Sequence, residues 1–284
     1  IFFAISDRDW ILDGANVHLS MIGFCGRDAR PCASVLDGHQ VEDISASLTA
    51  GADAREAVGR PENLGLSFMG ITPAGPFDLP FEALSDWLAL PNPHRRPNSD
   101  VLRPYLNGKD INQRARVQWT IDFTGFDKRA AAFYEKPFAC LETNVQPVRA
   151  TNNRAAYRDN WWLYAEAREG MRKAFAGLPR YIATCRVAKH RIFVKLDASF
   201  LPDSQVIVFA RSDDFFFGVL HSRCHEVWSL AQGTQLREKE SGFRYTPPTC
   251  FETFPFPKPT PEQEAVLAAA RALECGGWPP LLLT

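Results

Sequence analysis

The stretch 180–257 decides how this chain reads: RYIATCRVAKHRIFVKL (180–196), then VIVFARSDDFFFGVLHSRCHEVWSL (206–230), then TPPTCFETFPFP (246–257). In the first piece Arg180, Arg186, Lys189, His190, Arg191 and Lys195 alternate with Ile182, Val187, Ile192 and Val194. That interleaving predicts a half-buried sheet with one cationic face. The second piece opens with the β-branched run VIVFA, passes Asp213-Asp214, and predicts a helix from about Leu220 to Leu230. In the third, five prolines between 247 and 259 preclude a regular helix or central strand, so Phe251, Phe254 and Phe256 are expected to anchor an extended piece on the core.

Working outward, Val145–Leu178 carries Asn/Thr-rich capping chemistry and then Trp162, Ala165, Arg168 and Met171 at helical spacing, which predicts a long amphipathic helix ended by Gly177 and Pro179. Arg149, Asn152, Asn153, Arg154 and Arg158 fall at or before its start, where guanidinium forks and free N–H groups suit phosphate, or serve as caps and surface ion pairs. Trp161 and Trp162 are expected in the core. VLRPYLNGKDIN (101–112) contains the Asn107-Gly108 turn signal, and WTIDF (119–123) alternates as a strand. Arg103, Lys109 and Arg114 sit there as phosphate contacts or, the preferred reading, as a solvated turn and strand. At the start, IFFAIS and VHLSMIGF flank Asp13-Gly14 and predict a β-hairpin over 1–25. Residues 26–100 read as a packing connector with one helix in FEALSDWLAL, and Thr260 or Pro261 opens a further helix.

The 284 residues carry 32 Lys+Arg against 33 Asp+Glu, a net charge of −1, so a polyanion partner requires local segregation of charge. That segregation exists between Val145 and Lys195, where eleven Lys and Arg face only Asp159, Glu166 and Glu169. Cysteines 25, 32, 140, 185, 224, 250 and 275 are scattered without CxxC spacing, which argues for buried thiols in a reducing cytosol. No run approaches the roughly 20 apolar residues of a membrane span, so the expected location is cytoplasmic. His221, Cys224 and His225 share neighbouring helix faces without a fourth ligand nearby, so no metal site is expected.

PRYIATCRVAKHRIFV (179–194), FGVLHSRCHEVWSL (217–230) and CFETFPFP (250–257), with VLRPYLNGKDIN, WTIDFTGF (119–126) and WWLYAEAREGMRKAF (161–175) upstream, resemble the target-recognition half of adenine-N6 DNA methylases in single-chain type IIL restriction-modification enzymes of the MmeI kind, a half shared with related phage-defence methylases. The resemblance implies a mixed α/β (α+β) fold: the terminal hairpin of a methyltransferase sheet (1–25), a connector (26–100), a DNA target-recognition domain (101–257) and the start of a helical segment (258–284). It implies double-stranded DNA as partner and an upstream methyltransferase domain in the same chain, with further sequence expected on both sides. Within TCRVAKHR, Thr184, Arg186, Lys189 and Arg191 are the residues chosen for sequence readout or phosphate contact, against a surface strand whose charges keep an edge soluble; Arg180, His190, Lys195, Arg149, Asn152, Arg154 and Arg158 complete the expected DNA contacts, and which residue reads which base does not follow.

An amino-methyltransferase needs an Asp/Asn-Pro-Pro-aromatic loop to hold the amine of a flipped base. None occurs here: Asn92-Pro93-His94 is a turn, and Phe123-Thr124-Gly125 only imitates the F-x-G cofactor motif. No catalytic residue is therefore expected in these residues, and S-adenosylmethionine would bind elsewhere in the parent protein. A protein- or RNA-interaction module is the alternative, and an independent hydrolase lacks an identifiable nucleophile and base.

Overall fold

The computed structural model describes residues 1–12, 14–26, 33–46, 48–50, 57–79, 81–113, 118–235 and 242–265. They belong to two compact units, Ile1–Val58 and Gly59–Thr284. In the first, β1 (Phe3–Leu12) and β2 (Ala15–Gly23) pair antiparallel as the hairpin expected from the sequence, with Gly14 at φ +83° in the turn. Asp13, the other half of that turn signal, lies outside the described residues. β3 (Ser34–Leu36) runs parallel to β1 and turns into antiparallel β4 (His39–Val41) through Asp37 and Gly38, both at positive φ, the twist that suits a two-residue hairpin. The backbone N–H and the hydroxyl of Ser6 both donate to the Asp37 carboxylate, at 2.7 and 2.6 Å, which ties that turn to β1. The hairpin is thus half of a four-stranded sheet, in the order β2-β1-β3-β4.

The second unit opens with β5 (Ser67–Met69), β6 (Asp78–Leu79), α1 (Phe81–Ala89), β7 (Leu102–Leu106), α2 (Gly108–Asn112) and β8 (Gln118–Ile121). Residues 59–100, read as connector, therefore supply two strands and a helix to it. A helical layer follows: α3 (Lys128–Ala132), α4 (Glu135–Asn144), α5 (Gln146–Ala150), α6 (Ala155–Asp159) and α7 (Glu169–Phe175). Then come β9 (Arg180–Cys185), β10 (Val187–Ala188), β11 (Phe193–Asp197), β12 (Leu201–Pro202), β13 (Val206–Phe209), α8 (Asp214–His221), α9 (Arg223–Gln232), β14 (Thr234–Gln235) and β15 (Phe243–Arg244). The sheets are ordered β11-β9-β13-β5, β12-β7-β8-β6 and β10-β15-β14. Mixed α/β architecture with several small sheets is the expected class.

β9 corrects the half-buried reading. It lies between β11 and β13, and five of its six residues are buried. Side chains alternate along a strand, so Tyr181, Ala183, Val206 and Val208 join one core with Ile121, Phe123, Trp161 and Trp162. Ile182, Ile207 and Phe209 join a second core with Phe216, Leu220, Tyr245 and Phe251. The cations of this stretch are consequently displaced to the strand's ends.

The long helix expected after the capping residues of segment 145–178 is not continuous: the segment forms the short helices α5, α6 and α7. Buried Arg149 explains why: its Nη1 donates to the carbonyls of Asn160 (3.3 Å), Trp161 (3.4 Å) and Leu163 (2.6 Å), acceptors that a continuous helix would need for its own ladder. Residues 165–166 instead bridge to Thr72 and Pro73, and Arg168 sits at φ +56° before α7. The helix expected at 220–230 becomes two, because Ser222 leaves the helical region and caps α9 by accepting from the His225 N–H. Phe251 and Phe254 are buried as expected, and one π-helical turn covers Pro247–Phe251. Thr260 opens the last helix, exchanging side-chain and backbone hydrogen bonds with Gln263. Among the described residues no helix is long and apolar enough to cross a membrane. Cys185 and Cys250 are buried as expected, but Cys25 and Cys224 are exposed; Cys32 and Cys275 lie outside the described residues.

Candidate nucleic-acid interface

The short connection from β9 to β10 positions the site. Arg186 ends β9's run of buried residues; its N–H donates to the Gln205 carbonyl at 2.6 Å, and its carbonyl accepts from the Tyr245 N–H at 2.8 Å. The residue is thereby fixed between the β12–β13 turn and β15. β15 pairs with β10, placing Arg244 opposite Val187. From the other side comes α2, whose first turn is locked by a capping box in which Asn107 accepts from the Lys109 N–H and Asp110 accepts from the Asn107 N–H. Asn107-Gly108, read as a turn, is this helix start.

Gly108, Lys109, Asn112, Gln113, Arg186, Val187, Gln205 and Arg244 enclose a cavity of about 290 Å³. Three cations and three carboxamides line it, without a carboxylate. Such a set offers charge to phosphate, forks to guanine and paired donor and acceptor groups to adenine. Arg244, Asn112, Gln113 and Gln205 were not singled out in the sequence. Arg244 is separated from Arg186 by 58 residues, and only strand pairing brings them together. Lys109 had been given the solvated reading; Arg103, considered beside it, is exposed, and Arg114 lies outside the described residues.

The other expected DNA contacts divide by burial. Arg149 is 2 % exposed, and besides the three carbonyls above it donates to those of Pro73 and Ala74. Burial lowers its pKa, and the guanidinium serves as an internal tie, not a phosphate contact. Thr184 is fully buried and donates its hydroxyl to the Ile192 carbonyl, so it reads no base. Arg191 is turned inward: it donates to the carbonyls of Cys185 and Phe243, and lies over the rings of Phe243 (4.6 Å) and Tyr245 (5.2 Å). It fastens β15 to β9, and burial lowers its pKa. Lys195 pairs with Asp214 and stacks on Phe217, which removes it from the cationic face. In all four the side chain's polar groups are taken up by internal partners, backbone carbonyls for Arg149, Thr184 and Arg191 and the Asp214 carboxylate for Lys195.

Asn152 accepts from the Arg154 N–H in a tight turn, Arg154 lies over Tyr157, and Arg158 binds the Asn152 carbonyl and Asp159. These side chains are at the surface but outside the cavity. Arg180 is exposed opposite Asp197, and Lys189 and His190 are exposed on the loop after β10. Of the eleven expected contacts, Arg186 alone lines the cavity.

Two motifs weighed in the sequence are engaged in internal contacts. The Phe123 ring is packed among Phe126, Tyr134 and Phe138, and the hydroxyl and N–H of Thr124 both bond Asp122, so Phe123-Thr124-Gly125 does not fit a cofactor's adenine. His221 bonds the Phe193 carbonyl, and buried His225 bonds the Leu220 carbonyl and the Tyr245 hydroxyl. Among the described residues no three metal-ligating side chains converge.

No protein-family model matches the sequence, and no curated protein matches it. The architecture is that of a segment of a restriction-modification enzyme. One solved structure that shares it is MmeI, a type IIL restriction-modification enzyme in complex with DNA, at a TM-score of 0.69 and 18% identity over 99% of this chain. The chain spans 39% of the length of that enzyme.

Proposed function

We propose that the unit from Gly59 onward is a DNA target-recognition module of a restriction-modification protein, binding duplex DNA sequence-specifically through the cavity formed by Lys109, Arg186 and Arg244. The observation that carries this reading is the convergence of three cations and three carboxamides, free of carboxylates, in a chain of net charge −1. The shared fold with an enzyme bound to DNA supports it. The module performs no methyl transfer itself. The parent protein would transfer a methyl group from S-adenosylmethionine to adenine N6, in the cytoplasm and in phage defence, with catalytic loop and cofactor site in a methyltransferase domain upstream in the same chain. On this reading the hairpin of the first unit belongs to that domain's sheet.

The test is fluorescence anisotropy with a randomised duplex pool, followed by sequencing of bound molecules and a salt titration. Enrichment of a short motif containing adenine, with log affinity falling linearly in log salt by about 0.9 per phosphate contacted, is the expected result. Replacing Lys109, Arg186 and Arg244 together by Ala should abolish the enrichment. Unchanged selection by that variant would remove the cavity from the interface.

A further inference from the structure

A second cleft lies on the other side of Arg186 and has the opposite character. It measures about 690 Å³, and its floor is the whole of β5, Ser67, Phe68 and Met69 in succession. A pocket on a sheet's face is lined by alternate residues; one lined by consecutive residues runs along the strand's edge. β5 is the terminal strand of its sheet. The Ala210 N–H donates to Leu66 and the Gly70 N–H to Val206, so positions 66, 68 and 70 bond β13, and Ser67 and Met69 turn their N–H and C=O groups outward into the cleft. The Ser67 hydroxyl, on a residue 8 % exposed, has no hydrogen-bond partner. The lining takes in the start of α7 with Glu169 and, from the π-helical turn and the residue that ends it, Pro247, Pro248 and Glu252. Glu166, also in the lining, is paired with Arg168.

We propose that this cleft is a docking groove for an extended, basic segment of a partner polypeptide, which adds to β5 as a further strand and places a Lys or Arg between Glu169 and Glu252. Outward backbone groups supply the pairing and the carboxylates the selectivity, the division of labour by which strand addition works. The lining also holds Arg186 and Arg168, the latter paired with Glu166, which leaves Glu169 and Glu252 to select a basic segment, in contrast to the cavity across Arg186, where no carboxylate is present. The groove does not depend on the DNA-binding reading.

The probe is a fluorescein-labelled, end-capped peptide of sequence Val-Thr-Lys-Val-Thr, titrated with the 284-residue chain. Saturable binding is expected, weakened by about tenfold or more when the peptide's alternate amides are N-methylated. Met69→Pro deletes an N–H that points away from β13, so it should abolish binding; because Met69 also packs on the second core, Met69→Leu, which keeps the N–H and the bulk, is the control and should still bind. Charge reversal gives an independent arm: the pair Glu169→Lys and Glu252→Lys should reject the Lys peptide and accept its Glu counterpart. Absence of saturable binding, indifference to N-methylation together with a failed charge swap, or displacement of the peptide by a DNA duplex would overturn the proposal.

Discussion

At the scale of single residues, burial sorts cations that the sequence presents as equals. Arg149 and Arg186 both stand in the basic segment between small or apolar neighbours, yet one satisfies five backbone carbonyls and the other opens into a cavity. Arg149→Met should lower unfolding free energy by about 3 kcal/mol or more, because each buried carbonyl left without a donor costs about 1–3 kcal/mol; urea unfolding measures it. Arg186→Ala and Arg244→Ala should leave that free energy within about 0.5 kcal/mol of wild type. Each should instead flatten the salt dependence of duplex binding by about 0.9 if the contact is to phosphate, or relax one position of the selected motif at about 1–3 kcal/mol if it is to a base. Arg186 was legible as a candidate from its place in a cationic run. Arg244, a lone cation between two aromatic residues in GFRY, gave no such signal.

At the scale of elements, the contact between β10 and β15 holds the site together. Gly242 enters β15 at φ +80°, and a Cβ there would overlap the Ala188 carbonyl. Gly242→Ala should therefore part the two strands and weaken duplex binding without removing a charge, as anisotropy would show. α9 carries a pH signature. Burial holds the His225 pKa at about 4, below its ordinary 6.5, with the ring between the Leu220 carbonyl and the Tyr245 hydroxyl. The unfolded chain binds a proton below pH 6.5 while the folded one resists it down to about 4, so the contribution of His225 is fully present above 6.5 and about 3 kcal/mol of it is lost as pH falls between those values. His225→Gln should flatten that part of the pH–stability curve. Strands, caps and the proline-rich strap were readable as local patterns. The interrupted helix at 160–168 was not, since helical spacing of Trp162, Ala165 and Arg168 says nothing of an arginine that takes the carbonyls.

At the scale of the whole molecule, the two compact units predict that a chain beginning at Gly59 folds by itself and binds duplex with the salt dependence of the 284-residue chain; circular dichroism and anisotropy would measure both. What the chain's local patterns settled was the mixed α/β class, the opening hairpin, the strands in 119–123, 180–195 and 206–210 and the local excess of positive charge, because periodicity, turn residues and composition are properties of neighbours in the chain. Only the tertiary structure decided that β9 is covered on both faces, that Thr184, Arg191 and Lys195 are consumed inside, and that Lys109, Arg186 and Arg244 meet. Burial and convergence depend on residues far apart in sequence, and nothing local to a cation records whether a carbonyl or open solvent will face it.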